Sequence, residues 1–219
     1  MPTPRRPFRA ALAGLAVGLS ALLAGCMTGE RPSFESGVAF AAQTGNEAID
    51  AVLQRLDRAR LATYTGDYTI LTRLGGREST AHVVQEGAGR RSVTVNSVRF
   101  VVDGESVATC DLEAAECEAS INDARISDVV ATHDFYADSA ARRLRTDAGR
   151  RIGEPEGYEI TQAGRAALCV DIPVTGGTVT YCALDEGPLA RYDGSDAHIE
   201  LITISDEPDE SAFDPSPGS

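Results

Sequence analysis

Cysteine and histidine are the residues here whose chemistry depends most on spacing. Cys110 and Cys117 have six residues between them, and Cys169 and Cys182 have twelve. Such cysteines could bind zinc or form disulfides. Zinc knuckles space their ligands by about two to four residues, so the longer gaps favour disulfides and an oxidising compartment. The three histidines, His82, His133 and His198, stand apart from one another. A nucleophile elbow, a P-loop, a dinucleotide fingerprint and an HExxH pair are all absent. Acidic pairs such as Asp209-Glu210 fall in turns, on helix faces and in the tail, where they solvate the surface. The expectation is a non-enzyme with no catalytic residue, no metal and no cofactor.

The second cysteine pair can be placed by register. A two-residue turn at Thr175-Gly176 pairs Val174 with Gly177 and Ile172 with Val179, and sets Cys169 opposite Cys182. Counting from the turn, this is a non-hydrogen-bonded pair, with a Cα separation of about 4.5 Å. That lies at the short end of the disulfide range. Side chains alternate across a strand, so Leu168, Val170, Ile172, Val174, Val179, Tyr181 and Ala183 share one apolar face. The cysteines share the other, outer face with Asp171, Thr178 and Thr180. Cys110 and Cys117 are close enough to clip their own hairpin.

The elements around these residues follow from periodicity. Asn46 is a plausible N-cap for a helix reaching about residue 62. Ile49, Val52, Leu53 and Leu56 form its apolar side, which should cover a sheet. From residue 64 the pattern turns to short β-prone runs separated by glycine turns: 64–74, 77–85, 90–95, 98–102 and 105–110. Gly75-Gly76 and Asp103-Gly104 read as two-residue hairpin turns. Residues 126–148 interrupt the strands. Ile126, Val129, Val130, His133, Tyr136, Ala137, Ala140 and Leu144 trace a helical stripe, with Phe135 off it, so the segment is two helices or a bent one. His133 reads as a partly buried, satisfied histidine. Arg142, Arg143, Arg145, Arg150 and Arg151 read as a solvated helix end opposing the helix dipole. Strands return at 158–161, 165–174, 177–184, 189–192 and 198–204. An acidic, Pro-rich tail (206–219) follows, with Phe213 as its one candidate for docking.

Cys26 stands apart from the other four cysteines. It ends the run Leu22-Leu23-Ala24-Gly25-Cys26, which resembles a bacterial lipobox, behind an n-region bearing Arg5, Arg6 and Arg9. The apolar run 10–23 is too short to span a bilayer, which needs about 20 residues, and has the length and flanks of a signal-peptide core. The expectation is a lipoprotein signal peptide at 1–25, cleavage before Cys26, lipidation of Cys26 and a flexible tether over 26–44. Arg5-Arg6-Pro7-Phe8 also matches the core of a twin-arginine signal, so both export routes stay open. A tether of this size reaches about 20–25 Å. The full chain carries 33 acidic side chains and a net charge of −13, and its basic residues are all arginine. Loss of residues 1–25 would leave it three units more negative. Such a chain lacks the cationic surface that nucleic acid or anionic headgroups require. Its membrane attachment is therefore expected through the lipid on Cys26, on the extracytoplasmic face of the cell membrane. No protein partner can be named.

The order helix, antiparallel strands, helical insertion, more strands resembles the bacterial lipoprotein-carrier superfamily of LolA/LolB-like and actinobacterial LppX/LprG-like lipoproteins. The resemblance covers residues 45–215. It is carried by Ala163-Gly164-Arg165-Ala166-Ala167-Leu168-Cys169-Val170, by Thr180-Tyr181-Cys182, and by the ending Glu210-Ser211-Ala212-Phe213-Asp214-Pro215. It implies an α+β fold over 45–205: a curved antiparallel β-sheet, an open half-barrel, covered by the N-terminal helix and the helical insertion. It also implies an acyl-binding space between sheet and helices, for which Tyr68, Ile70, Val129, Tyr136, Val170, Ile172, Val179 and Tyr181 are the lining candidates. The functional expectation is a membrane-anchored cell-envelope lipoprotein that binds or carries a lipid or other apolar ligand. The alternatives are an RseB/MucB-like envelope sensor of proteins or peptides, or a structural lipoprotein without ligand.

Overall fold

The structure, a computed structural model, describes residues 44–126 and 132–214. The signal segment, Cys26, nearly all of the tether, and Val129 and Val130 lie outside the described residues.

The first element is helix α1, Glu47–Leu56. The Asn46 side chain accepts from the Ile49 amide at 3.1 Å, the N-cap bond expected of it. Ile49, Val52, Leu53 and Leu56 are buried, as their spacing predicts. The helix is shorter than expected, and a 3-10 turn at Ala59–Leu61 follows it. Five strands come next: β1 Thr63–Thr72, β2 Arg77–Glu86, β3 Arg90–Val95, β4 Val98–Asp103 and β5 Ser106–Asp111. A short strand β6, Glu116–Glu118, returns along β5 and sets Cys117 opposite Cys110, the clipped hairpin that was expected. The insertion is not one regular helix, in keeping with the expectation of two helices or a bent one. It comprises a 3-10 turn at Asp123–Arg125, a π-helical turn at Phe135–Ser139 and helix α2, Ala140–Gly149. Strands β7 Glu156–Gln162, β8 Arg165–Val174, β9 Gly177–Leu184, β10 Leu189–Asp193 and β11 Ala197–Ser205 complete the order.

Among the described residues, eleven strands form one antiparallel sheet in the order β6-β5-β4-β3-β2-β1-β11-β10-β9-β8-β7. The sheet does not close: β6 and β7 are its two edges. This is the α+β open sheet with helical covers that the sequence predicts. The β8–β9 register is the one derived above, with Val174 opposite Gly177, Ile172 opposite Val179 and Cys169 opposite Cys182. Both disulfides are formed, with Cα separations of 4.0 Å for Cys169–Cys182 and 4.1 Å for Cys110–Cys117. Cys169 and Cys182 do lie on the face away from the helices, yet both are fully buried and belong to the main core. Curvature accounts for this. The Gln162 side chain on edge strand β7 donates to the Leu201 carbonyl of β11 at 2.7 Å and to Glu200 at 3.0 Å, so the sheet curls across that face.

Two turns depart from expectation. Thr72 pairs with Arg77, so the β1–β2 turn spans four residues rather than Gly75-Gly76 alone. The Arg73 amide donates instead to Asp196 of the β10–β11 turn at 2.9 Å. Asp103 pairs with Ser106, which moves the β4–β5 turn one residue on, to Gly104-Glu105. The tail forms a 3-10 turn at Glu210–Phe213. Phe213 docks there with Ala212 against Val84 on the outer face, under the Arg90 guanidinium 4.1 Å from its ring.

Candidate functional site

The helix-side face of the sheet is built from cross-strand rows. Directly opposite residues project to the same side. One row runs Val170, Tyr181, Tyr192, Ile199, Ile70 across β8, β9, β10, β11 and β1. A second runs Leu201, Tyr68, Ala81, Val95, and a third Tyr64, Gln85, Arg91. Gly66 lies between Tyr64 and Tyr68 on this face. A side chain there would come within 3.1 Å of Leu201 and 3.4 Å of both tyrosine rings, so glycine lets the two phenols and Leu201 meet.

Of the eight predicted lining residues, Val129 lies outside the described residues. The other seven, Tyr68, Ile70, Tyr136, Val170, Ile172, Val179 and Tyr181, belong to one buried cluster, none more than 7% exposed. Six come from the sheet and Tyr136 from the cover. Phe135 is buried beside Tyr136, although the helical stripe excluded it. The π-helical turn fits an extra residue into the turn, which brings Phe135, Tyr136 and Ala137 to the inside in succession. The two rings fill the space between sheet and cover. Tyr136 rests on Tyr68 at 4.6 Å between centroids, Phe135 meets Tyr136 edge-on at 5.4 Å, and Phe135 reaches Tyr192 at 5.9 Å. Tyr181 and Tyr192 continue the chain at 5.2 Å. Tyr64, Phe135 and Tyr192 were not among the nominated residues. The i, i+2, i+4 spacing of Tyr64, Gly66 and Tyr68 was the sequence signal for the first of them.

The cover is held at its rim by polar contacts to distant parts of the chain. Arg145 pairs with Asp57 through one nitrogen, Nη2, which lies 2.6 and 2.5 Å from the two carboxylate oxygens. Arg143 pairs with Asp196 and lies over the Tyr192 ring at 4.9 Å. The Tyr181 hydroxyl donates to Asp147 at 2.6 Å. The arginine run therefore includes two clamps, and the expectation of a purely solvated helix end fails for Arg143 and Arg145. His133 contacts Asp123 at 2.9 Å through Nδ1, the satisfied histidine that was expected.

Buried hydroxyls are the polar content of the interior. Tyr68 donates to the Leu189 carbonyl at 3.0 Å. The Tyr64 and Tyr136 hydroxyls have no hydrogen-bond partner, and neither do Gln85 Oε1 and Arg91 Nε in the Tyr64 row. Tyr64 lies close enough to Tyr68 to influence its ionisation, but without the geometry of a hydrogen bond. Burial pushes the Tyr64 phenol up to about 12, and pushes Tyr136 and Tyr68 well above the ordinary phenol value. All three remain neutral donors at physiological pH. Gln85 Nε2 donates to the Ala59 carbonyl at 2.5 Å, which ties the 3-10 turn over this row.

The sheet carries two other features. His82 Nδ1 lies 2.7 Å from Asp67, and the Thr203 hydroxyl donates to the same carboxylate at 2.6 Å. Thr203 thus bonds to the acid and not to the imidazole, so the trio does not activate the hydroxyl as a nucleophile. A cleft of about 450 Å³ is lined by Thr69, Leu71, Glu78, Thr80, Asn96 and His198, and also by Ile70, one of the nominated lining residues, and its cross-strand partner Ser79. Among the described residues, no group of three or more His, Cys, Asp or Glu side chains is placed to hold a metal ion.

No family model and no curated protein matches the sequence. Several solved structures share part of its backbone arrangement. A crystal structure of MucB is 14% identical, with a TM-score of 0.45, and the match covers 77% of this chain and 63% of that one. The Pseudomonas aeruginosa MucA/MucB complex is 15% identical, with a TM-score of 0.43, covering 76% of this chain and 60% of that one. The chain thus spans less than two thirds of the length of MucB. A LolA superfamily protein from Nitrosomonas europaea is 9% identical, with a TM-score of 0.36, covering 72% of this chain and 92% of that one. Values this low establish neither kinship nor a shared activity.

Proposed function

We propose that this protein is a cell-envelope lipoprotein, anchored through lipid on Cys26, that binds an apolar ligand between its sheet and its helical cover. The observation that carries the reading is the aromatic plug. Phe135 and Tyr136 occupy the interior from a π-helical turn, against a continuous apolar sheet face. Withdrawing two side chains on the cover opens apolar space without breaking a strand of the sheet. Burial of an acyl chain there is favourable by about 0.8 kcal/mol per CH₂. The test is purification of the protein from membranes, followed by extraction and lipid mass spectrometry. Co-purifying lipid that is lost in a Phe135→Ala, Tyr136→Asp double variant supports the reading, and lipid-free protein that binds no added acyl ligand overturns it. The anchor is tested separately. A Cys26→Ala form should leave the membrane fraction still folded, with both disulfides intact.

The cleft supports a second reading, an envelope sensor on which a protein or peptide docks. Its lining joins the apolar Ile70 and Leu71 to the polar Glu78, Asn96 and His198, a mixture on which a peptide can dock. A Leu71→Asp substitution would then abolish capture of the partner and leave lipid binding unchanged.

A further inference from the structure

The orphaned polar atoms of the interior are gathered at one end of it. Tyr64, Gln85 and Arg91 are directly opposite one another across β1, β2 and β3, on the helix-side face. Tyr64 Oη, Gln85 Oε1 and Arg91 Nε are all buried and unpartnered. The Tyr136 hydroxyl is buried and unpartnered as well, and its ring rests at 4.6 Å on Tyr68, which follows Tyr64 on the same face with Gly66 between them. Buried polar groups in folded proteins are nearly always hydrogen-bonded, so four such atoms together are a set awaiting a partner. Other arginines with an orphaned Nε are engaged elsewhere: Arg145 holds Asp57 and Arg191 holds Asp193. Arg91 makes no ion pair with any described residue, in a chain with a large excess of acids.

We propose that this row is the headgroup subsite for an amphiphile with an anionic oxygen head and an acyl chain. The proposal rests on the apolar-ligand reading above and adds the ligand's chemical class and orientation. Arg91 supplies the charge, and the Tyr64 and Tyr136 hydroxyls donate to the head oxygens. Gln85 Oε1 accepts from a hydroxyl or amide of a larger head. Arg91 and the neighbouring 3-10 turn are only partly buried, so the head sits at the mouth and the chain runs inward along Tyr68 and Tyr136. An anionic head at the mouth can form a charge-assisted, bidentate pair with an arginine, whereas a quaternary ammonium head is repelled by the Arg91 charge and has no N–H to give to Gln85 Oε1.

The chain has six tyrosines and no tryptophan, so intrinsic tyrosine fluorescence reports binding at this site. Four probes are titrated into the purified chain: laurate, dodecane, dodecyltrimethylammonium and inorganic phosphate. Laurate is expected to bind at least tenfold more tightly than dodecane and the ammonium, and phosphate alone not to bind. Arg91→Met should weaken laurate about tenfold or more and leave dodecane unchanged. Tyr64→Phe should weaken laurate several-fold while raising the thermal midpoint of the free protein, because it deletes a buried, unsatisfied hydroxyl. That opposite pair of effects is not expected of a merely structural tyrosine. Equal binding of laurate and dodecane, both indifferent to Arg91→Met, overturns the headgroup subsite but leaves the apolar-ligand reading standing, with buried water filling the row. Binding of phosphate alone with the same dependence on Arg91 overturns it in favour of a free-anion site. Failure of every acyl probe to bind overturns both.

Discussion

The contact that most directly restrains the cover is Arg145–Asp57, and its removal has a predictable size. Asp57 is the C-cap residue of α1. An acid there faces the negative end of the helix dipole, which is unfavourable by about 0.3–1 kcal/mol. Its position is explained by Arg145, which reaches it from α2 through two hydrogen bonds, with side chains 26% and 34% exposed. A hydrogen bond between charged groups contributes about 1.5–3 kcal/mol when well shielded. Partial exposure and screening reduce this to about 1–2 kcal/mol. Asp57→Asn, Arg145→Gln and the double variant form a cycle measured by urea denaturation. A coupling energy of about 1–2 kcal/mol is expected, with a midpoint shift of about 2–4 °C per kcal/mol in parallel thermal scans. Amide exchange in α2 should accelerate in both single variants while that of β8 and β9 does not. Single effects that add to the double within about 0.3–0.5 kcal/mol would show that the pair does not hold the cover. So would exchange that accelerates equally in sheet and cover.

Three further outcomes follow from the geometry. Burial alone would raise the Asp196 carboxyl, but the Tyr192 hydroxyl and the Arg143 guanidinium outweigh it and hold it below the ordinary value. A depressed folded value stabilises above the unfolded one, about 3.9, and the contribution is lost as pH falls through the folded value. The urea-midpoint deficit of Asp196→Asn should accordingly be constant above about pH 5 and shrink below about pH 4. For the disulfides, Cys117 lies on exposed β6 whereas Cys169 and Cys182 are fully buried. Mild reductant with a mass-tagged alkylator should label Cys110 and Cys117 first, at a stability cost of about 2–3 kcal/mol, and labelling of all four together would contradict this order. Phe213→Ala should make the chain beyond Ser205 protease-sensitive at an unchanged midpoint for the sheet, since Phe213 packs only in a satellite cluster with Val84 and Ala212.

The parts of this fold that were legible in the sequence are those governed by local rules. Val174-Thr175-Gly176-Gly177 closes as a two-residue turn with Gly176 at φ +98°, and strict alternation then carries the register to Cys169 and Cys182. The α1 stripe is similarly local. Within the insertion, Phe135 was missed because the stripe test assumes one helical period, and the π-helical turn at Phe135–Ser139 breaks it. Arg143 and Arg145 were misread because their partners lie 53 and 88 residues away. No window of sequence brings Asp57 at the end of α1 and Asp196 of the β10–β11 turn to α2; only the tertiary fold does. The burial of Cys169 and Cys182 on the outer face has the same origin, since Gln162 crosses from β7 to β11. For the site, seven of the nominated lining residues share one interior. The orphaned row of Tyr64, Gln85 and Arg91 was invisible, because a register spanning three strands and the absence of partners are both properties of the folded state.

These contacts also decide which part of the molecule can move. The sheet is held by ten ladders, with β5 cross-linked to β6 and β8 to β9, so it cannot open locally without losing many hydrogen bonds at once. The cover is held at its rim by Arg145–Asp57, Arg143–Asp196 and Tyr181–Asp147. Three partly exposed polar contacts at about 1–2 kcal/mol each amount to about 3–6 kcal/mol. Phe135 and Tyr136 do not add greatly to that sum if they come to rest on the incoming chain, since their apolar surface is then buried again. An acyl chain that buries eight methylenes contributes about 6 kcal/mol, enough to offset the rim contacts, whereas a chain of three or four does not. On the proposed apolar-ligand reading, the interior would therefore favour long-chain amphiphiles, and the rim contacts would set the length below which the plug stays in place.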